Sequence, residues 1–237
     1  MTLSVSNLSY SYGSKDALKG VSFELAPGFS ALLGPNGAGK STLFSLLTRL
    51  FTAPGAEIMI AGHDLNKSPR QALAALGVVF QQPTLDLDLT VFQNLKYFAA
   101  LHGLRGTHAR MQIEAALTRL DMNERLHEKV RTLNGGHRRR TEIARVLLHD
   151  PQVLLLDEPT VGLDAASRTA ITEHVHQLAG EGMTVLWATH LTDEIRDDDH
   201  LLVLHHGQFI AEGRASDVTG GHSLNEHFLS LTGAAAA

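Results

Sequence analysis

The run Gly34-Pro35-Asn36-Gly37-Ala38-Gly39-Lys40-Ser41 restricts this chain more than any other segment. It lies between an apolar run, Phe29 to Leu33, and a helical stretch that opens at Thr42 and is expected to reach about Leu50. The pattern G-x-x-x-x-G-K-[ST] between a strand and a helix is a phosphate-binding context. Gly37 and Gly39 let backbone N–H groups converge on phosphate oxygens, and the helix N-terminus adds partial positive charge. Lys40 is placed to reach β- and γ-phosphates, and Ser41 to offer an oxygen to magnesium. The loop alone implies nucleotide binding and leaves kinase, GTPase, ATPase and transport motor open.

The rest of the chain alternates between sheet and helix patterns. Val21 to Leu25 alternates apolar and polar residues, and Pro27-Gly28 turns before the Phe29 run. From Thr90 the spacing becomes helical: Thr90 and Gln93 form a capping-box pair ahead of Phe92, Leu95, Phe98 and Leu101, with Gly103 as the stop. Met111, Ile113, Ala116, Leu117 and Leu120 mark a second helix, and Asp121 to Val130 is polar and without a clear pattern. Val153 to Leu156 and Thr184 to Ala188 read as buried parallel strands. Leu201 to His205, Gln208 to Glu212 and a helix capped by Ser223 and Glu226 follow, and Ala234 to Ala237 is expected to fray. The implied organisation is one α/β domain over residues 1–237, its core formed by 1–82 and 151–237 and interrupted by a helical subdomain at 83–150.

Composition narrows the function. Twenty Lys and Arg against 25 Asp and Glu give a net charge of -5, which removes any electrostatic case for nucleic acid as the main partner. The one dense basic run, Arg138-Arg139-Arg140, reads as a solvated helix face or as packing stems before it reads as a polyanion site. Absence of cysteine excludes disulfides, thiolate catalysis and cysteine-ligated metals, and fits a cytoplasmic protein. The N-terminus lacks a secretory pattern, and no apolar run approaches the roughly 18 to 20 residues that span a bilayer. A membrane role would therefore come through a partner.

Three further strand ends carry polar groups. Asp157 and Glu158 follow the Val153 run, at the place where an α/β sheet opens its ligand crevice. Asp157 suits the magnesium shell, and Glu158 suits the role of general base toward an attacking water. Among 14 histidines, His190 is singled out because it ends the next apolar run, placed to contact a γ-phosphate and hold the water. His174, His176, His205 and His206 are read as surface or structural. Gln81, after Gly77 to Phe80, can reach magnesium or water from a loop that enters the helical segment.

Leu133-Asn134-Gly135-Gly136-His137 completes the set. In order and spacing, Tyr12, the phosphate loop, Gln81, this Leu-x-Gly-Gly segment, Asp157-Glu158, Val161 to Asp164 and His190 resemble an ABC-transporter nucleotide-binding domain along essentially the whole chain. The resemblance implies a P-loop NTPase (RecA-like) α/β core with an N-terminal antiparallel β subdomain and an inserted helical subdomain. It also implies ATP with Mg2+, and a head-to-tail pair of such domains in which each phosphate loop faces the partner's Leu-x-Gly-Gly segment. In that frame Tyr12 stacks on adenine, Asn134, Gly135 and Gly136 meet the γ-phosphate, and Asp164 couples the two sites. The chain departs from the family's usual serine and glutamine at Asn134 and His137; the Asn134 amide still offers a donor.

The partners so implied are a membrane permease subunit and a second ATP-binding subunit, with the chain peripheral on the inner face of a bacterial membrane and no nucleic acid expected. The wording of Phe80 to Thr90 and of Thr132 to Arg140 resembles a bacterial, exporter-like subfamily associated with pyrroloquinoline-quinone-dependent alcohol catabolism. The rival readings are a non-transport ABC ATPase, regulatory or nucleic-acid-associated, and a small-molecule kinase, which has no use for Leu133 to Gly136.

Overall fold

A computed structural model describes residues 2–233; Ala234–Ala237, where fraying is expected, lie outside the described residues. The chain opens with the antiparallel pair β1 (Leu3–Tyr12) and β2 (Lys15–Leu25), then β3 (Gly28–Leu33) and α1 (Lys40–Leu47). The short strands β4 (Glu57–Ile60) and β5 (His63–Asp64) extend the first pair into an antiparallel sheet of order β2-β1-β4-β5. α2 (Pro69–Ala74) and β6 (Leu76–Val79) lead into the helices α3 (Val91–Leu101), α4 (Gly106–Thr118) and α5 (Gly135–Leu147). The chain then returns through β7 (Val153–Asp157), α6 (Ala165–Gly180) and β8 (Thr184–Thr189). It closes with β9 (His200–His205), β10 (Gln208–Arg214), α7 (Ala215–Thr219) and α8 (Leu224–Thr232). No described helix is long and apolar enough to cross a membrane.

The second sheet runs β10-β9-β3-β8-β7-β6, parallel throughout except for β10 at its edge. Its central strands are continuous apolar runs because both faces are covered: every residue of β7 and of β8 is buried. Alternation along the pleat sends Leu154, Leu156, Val185 and Trp187 to one face, where helices cover them. Val153, Leu155, Leu186 and Ala188 point to the other, where Leu43, Phe44 and Leu47 of α1 join the antiparallel sheet. Each fully buried Leu or Val contributes about 1.5–3 kcal/mol, so a polar residue inside these runs is unaffordable and polar groups appear only at their ends.

Local signals account for the helices. Thr90 Oγ1 accepts from the Gln93 N–H at 3.1 Å while Gln93 Oε1 accepts from the Thr90 N–H at 2.8 Å, a complete capping box on α3. Ser223 accepts from the Glu226 N–H at the start of α8. Three expectations are corrected. α1 stops at Leu47 rather than near Leu50, because the Thr48 hydroxyl bonds back to the Phe44 carbonyl and Arg49 turns left-handed at φ 58°. β2 begins at Lys15, well before Val21, because it pairs along almost the whole of β1. Met111 is exposed, whereas Ile113, Ala116 and Leu117 carry the buried face of α4.

Of the readings open for the arginine run, the structure shows packing stems rather than a solvated face or an anion site. Arg138 donates to the carbonyls of Val130 and Arg131, and Arg140 to that of Leu120. Arg139, 6% exposed, donates to the carbonyls of Phe80 and Gln81, each at 2.7 Å, and pairs with Glu142 at 2.8 Å. Glu142 in turn accepts from the Thr84 N–H at 2.7 Å, and Arg145 donates to the Thr84 hydroxyl. One face of α5 thus grips the loop that carries Gln81. Removing one partner of a buried pair strands the other's charge, so Arg139→Ala is expected to cost about 3–5 kcal/mol, read as a lower urea midpoint.

Candidate functional site

In the parallel sheet β3, β8, β7 and β6 are consecutive neighbours, spaced about 4.8 Å apart. The register sets Leu33 beside Thr189, Asp157 beside Ala188 and Val79 beside Leu156. Their carboxyl ends are therefore nearly level. They deliver, in order, the phosphate loop, His190, Asp157-Glu158 and Gln81 to one edge.

The phosphate loop is built by close packing. Gly39, N-cap of α1, has φ 118°, and a Cβ there would sit 2.7 Å from the Ala17 carbonyl oxygen, so no larger residue fits. The Ala38 N–H bonds the Pro35 carbonyl, the Gly34 N–H bonds the Thr189 carbonyl, and the Gly207 N–H bonds the Ala38 carbonyl. Gly34 and Ala38 thus form the buried back of the loop, while Asn36 and Gly37 face the cleft with Lys40, Ser41 and Thr42 of the first helical turn. Lys40 is 5% exposed; its Nζ donates to the Gly34 carbonyl at 2.5 Å and lies 3.2 Å from Glu158 Oε1.

Glu158 is the hub. Its backbone is held at φ 46°, with its N–H on the Ala188 carbonyl, and this left-handed turn swings the side chain over the sheet edge. Gln81 Nε2 donates to Glu158 Oε2 at 3.2 Å. His190 Nδ1 is 3.4 Å from Glu158 Oε1, buried, and without a hydrogen-bond partner. Asp157, 8% exposed, has its carboxyl pushed above the usual aspartate range by burial and then by the Glu158 charge, with Lys40 and Ser41 pulling the other way. A buried carboxyl under that pressure, next to a serine hydroxyl, fits a hard divalent cation.

Tyr12 closes the cleft at the end of β1. It is half exposed, packs edge-on against Tyr10 and Phe51, and its hydroxyl is 3.4 Å from Thr42 Oγ1. The space between Tyr12 and Glu158 is about 670 Å³. Lys15, Lys19 and His206 also line it. His206 is exposed, in keeping with the surface reading, and the turn between β9 and β10 also brings it to the rim of the cleft, a non-local placement with no signal in the residue pattern. Two lysines on β2 carry no motif either.

Asn134, Gly135 and Gly136 do not line this cleft. Asn134 is the N-cap of α5: its Oδ1 accepts from the His137 N–H at 2.8 Å, which leaves the amide NH2 as the available donor. Gly136 also has a packing duty, since a Cβ would meet Ser167 Oγ at 2.5 Å. Ser167 belongs to the first turn of α6, capped by Asp164, whose carboxyl is held below the usual range by hydrogen bonds from the Ser167 N–H and hydroxyl. The start of α5 and the Asp164 turn are therefore one packed unit.

The ABC transporter family profile matches residues 18–161. The linearmycin resistance ATP-binding protein of Bacillus subtilis is 37% identical over 218 residues, covering 91% of this chain and 70% of that protein. A Nod factor export ATP-binding protein of Paraburkholderia xenovorans is 38% identical over 208 residues, covering 87% and 68%. Among solved structures, cbiO1 from Clostridium perfringens, part of the ABC transporter complex cbiONQ, superposes with a TM-score of 0.85 at 28% identity, over 96% of this chain and 94% of that one. These names speak of resistance and export and do not bear on the narrower likeness to the alcohol-catabolism subfamily. With its phosphate loop, its aligned strand ends and these relatives, the chain belongs to the ABC transporter family as an ATP-binding, ATP-hydrolysing subunit.

Proposed function

We propose that the chain powers an exporter-type bacterial ABC transporter, from the cytoplasmic face, through a separate permease. The core, 1–82 and 151–237, would carry the chemistry, and the helical part, 83–150, would transmit it. The observation that carries the chemical reading is the meeting of Lys40, Gln81 and His190 on the Glu158 carboxyl group. The export reading draws on the relatives named for resistance and Nod factor export, and the permease on the cbiONQ complex to which cbiO1 belongs.

ATP lies with its adenine on Tyr12 and its phosphates on the loop N–H groups from Gly37 to Thr42. Ser41, Asp157 and Gln81 are the residues that would hold a magnesium ion, which when bound would supply charge neutralisation to the phosphates. Lys40 exchanges Glu158 for phosphate oxygens, which frees Glu158 to take the proton of an in-line water. The water oxygen bonds the γ-phosphorus, the bond to the β-bridging oxygen breaks, and its electron pair leaves with ADP. His190 holds the water and the γ-phosphate in line. Asn134, Gly135 and Gly136 of a second copy close the site from the far side.

Glu158→Gln is expected to lower phosphate release by roughly 10² to 10⁴ while ATP still binds, measured by steady-state turnover beside nucleotide titration. Turnover near wild type would take Glu158 out of the role. Asp157 supplies a pH test in the nucleotide-free protein. Burial raises its folded-state pKa above that of an ordinary aspartate, so its ionised form is disfavoured by folding and stability is lost as pH rises through the folded value. Asp157→Asn is thus expected to raise Tm at pH 7, with the gain vanishing as pH falls toward the ordinary aspartate range, while abolishing magnesium-dependent turnover. For the transport half, the chain is expected to co-purify with an integral membrane protein; recovery with ribosomes or DNA instead would favour a non-transport ABC ATPase.

A further inference from the structure

The side chain of His190 is only weakly held. It is 37% exposed, and its Nδ1 makes no hydrogen bond. Its direction must come from the backbone on either side. Behind that backbone lies Glu194, in the turn after β8, 4% exposed and outside the ATP cleft. Its Oε2 accepts from Thr189 Oγ1 at 2.6 Å and from Trp187 Nε1 at 3.0 Å, and its Oε1 accepts from Thr160 Oγ1. The Thr189 hydroxyl in turn accepts from the Leu191 N–H at 3.0 Å.

We infer that Glu194 is a positioning residue for hydrolysis, stapling the backbone on both sides of His190 to the loop that follows Glu158. Three features carry this. Thr189 and Leu191 flank His190, and the one hydroxyl that ties them together is fixed by Glu194. Thr160 lies on the turn that leaves Glu158 through Pro159, so the same carboxyl group sets the two catalytic loops at a fixed separation. Trp187, wholly buried in β8, anchors the carboxyl group to the sheet. A carboxyl group withdrawn this far from water is costly unless its acceptors are filled, and here two hydroxyls and an indole N–H fill them. The inference rests on the reading of His190 given above.

The test is steady-state ATP hydrolysis by the whole chain. Thr189→Val keeps shape and removes only the link between Glu194 and the His190 backbone. It is expected to lower kcat about 10- to 100-fold, the scale of a misplacement near 1 Å, with KM for ATP within about twofold. In a His190→Ala background the same change is expected to cost less than about twofold, because its effect passes through His190. Glu194→Gln can keep Oε2's contacts through its amide oxygen and donate to the Thr160 hydroxyl, so it is expected to retain turnover that Glu194→Ala loses. Should Glu194→Ala not fold, the Thr189→Val cycle decides alone. Thr189→Val turnover within about twofold of wild type, an equal loss in both backgrounds, or a Glu194→Gln loss as deep as that of Glu194→Ala would overturn the inference. Unchanged turnover in His190→Ala would instead remove the underlying reading of His190.

Discussion

Parallel hydrogen bonding among β3, β8, β7 and β6 holds four strand ends level, and Lys40, His190, Glu158 and Gln81, the groups proposed to meet the phosphates and the water, lie just beyond those ends. From Val153 to Leu156 in β7 and from Val185 to Ala188 in β8 every side chain is apolar or aromatic, and Asp157 and Thr189 follow at the carboxyl ends where the proposed chemistry begins. Spacing between strands then does what a catalytic site needs. Lys40, Gln81 and His190 come from three different strands, yet all lie within 3.4 Å of the Glu158 carboxyl group. Lys40 pairs with the carboxylate proposed to act as base, so in that proposal a phosphate that takes up the ammonium would also release the base.

Contacts around the site rest on a second layer that is buried and charged. Arg139 and Glu142 of α5 hold the carbonyls of Phe80 and Gln81 and the N–H of Thr84, so the helix that opens at Gly135 and the loop bearing Gln81 are mechanically one piece. At its other end α5 packs through Gly136 on Ser167, beside the Asp164 cap. The first turns of α5 therefore touch both the Gln81 loop and the turn capped by Asp164. In the proposed mechanism this two-ended attachment would link the Leu-x-Gly-Gly helix to the groups proposed to act on water.

Much of the site was legible in the residues, for a physical reason. The phosphate loop, Asp157-Glu158 and His190 sit at transitions from apolar runs to polar residues, and such transitions are local in sequence. The capping box of Thr90 and Gln93 and the stop at Gly103 were equally local. What stayed hidden is non-local. The residue pattern leaves Arg139 open between a solvated face and a packing stem, because the carbonyls of Phe80 and Gln81 that it holds lie far along the chain. Lys15, Lys19 and His206 reach the cleft only through the pairing of β1 with β2 and the turn between β9 and β10. Glu194 carries no motif at all; only the convergence of Thr160, Trp187 and Thr189 makes it visible. Asn134 departs from the serine usual in the family, yet it caps α5, a role for which asparagine and serine are equally suited.

Half of the proposed site is missing from a single chain, since Asn134, Gly135 and Gly136 stand apart from the cleft that holds Lys40 and Glu158. The most direct measurement is ATP turnover per chain as a function of chain concentration, with molecular mass followed by sedimentation in Glu158→Gln with ATP. The account predicts turnover per chain that rises with concentration toward a plateau, and a shift from one copy to two when ATP is held unhydrolysed. Turnover per chain independent of concentration, with a single copy at every ATP level, would contradict it.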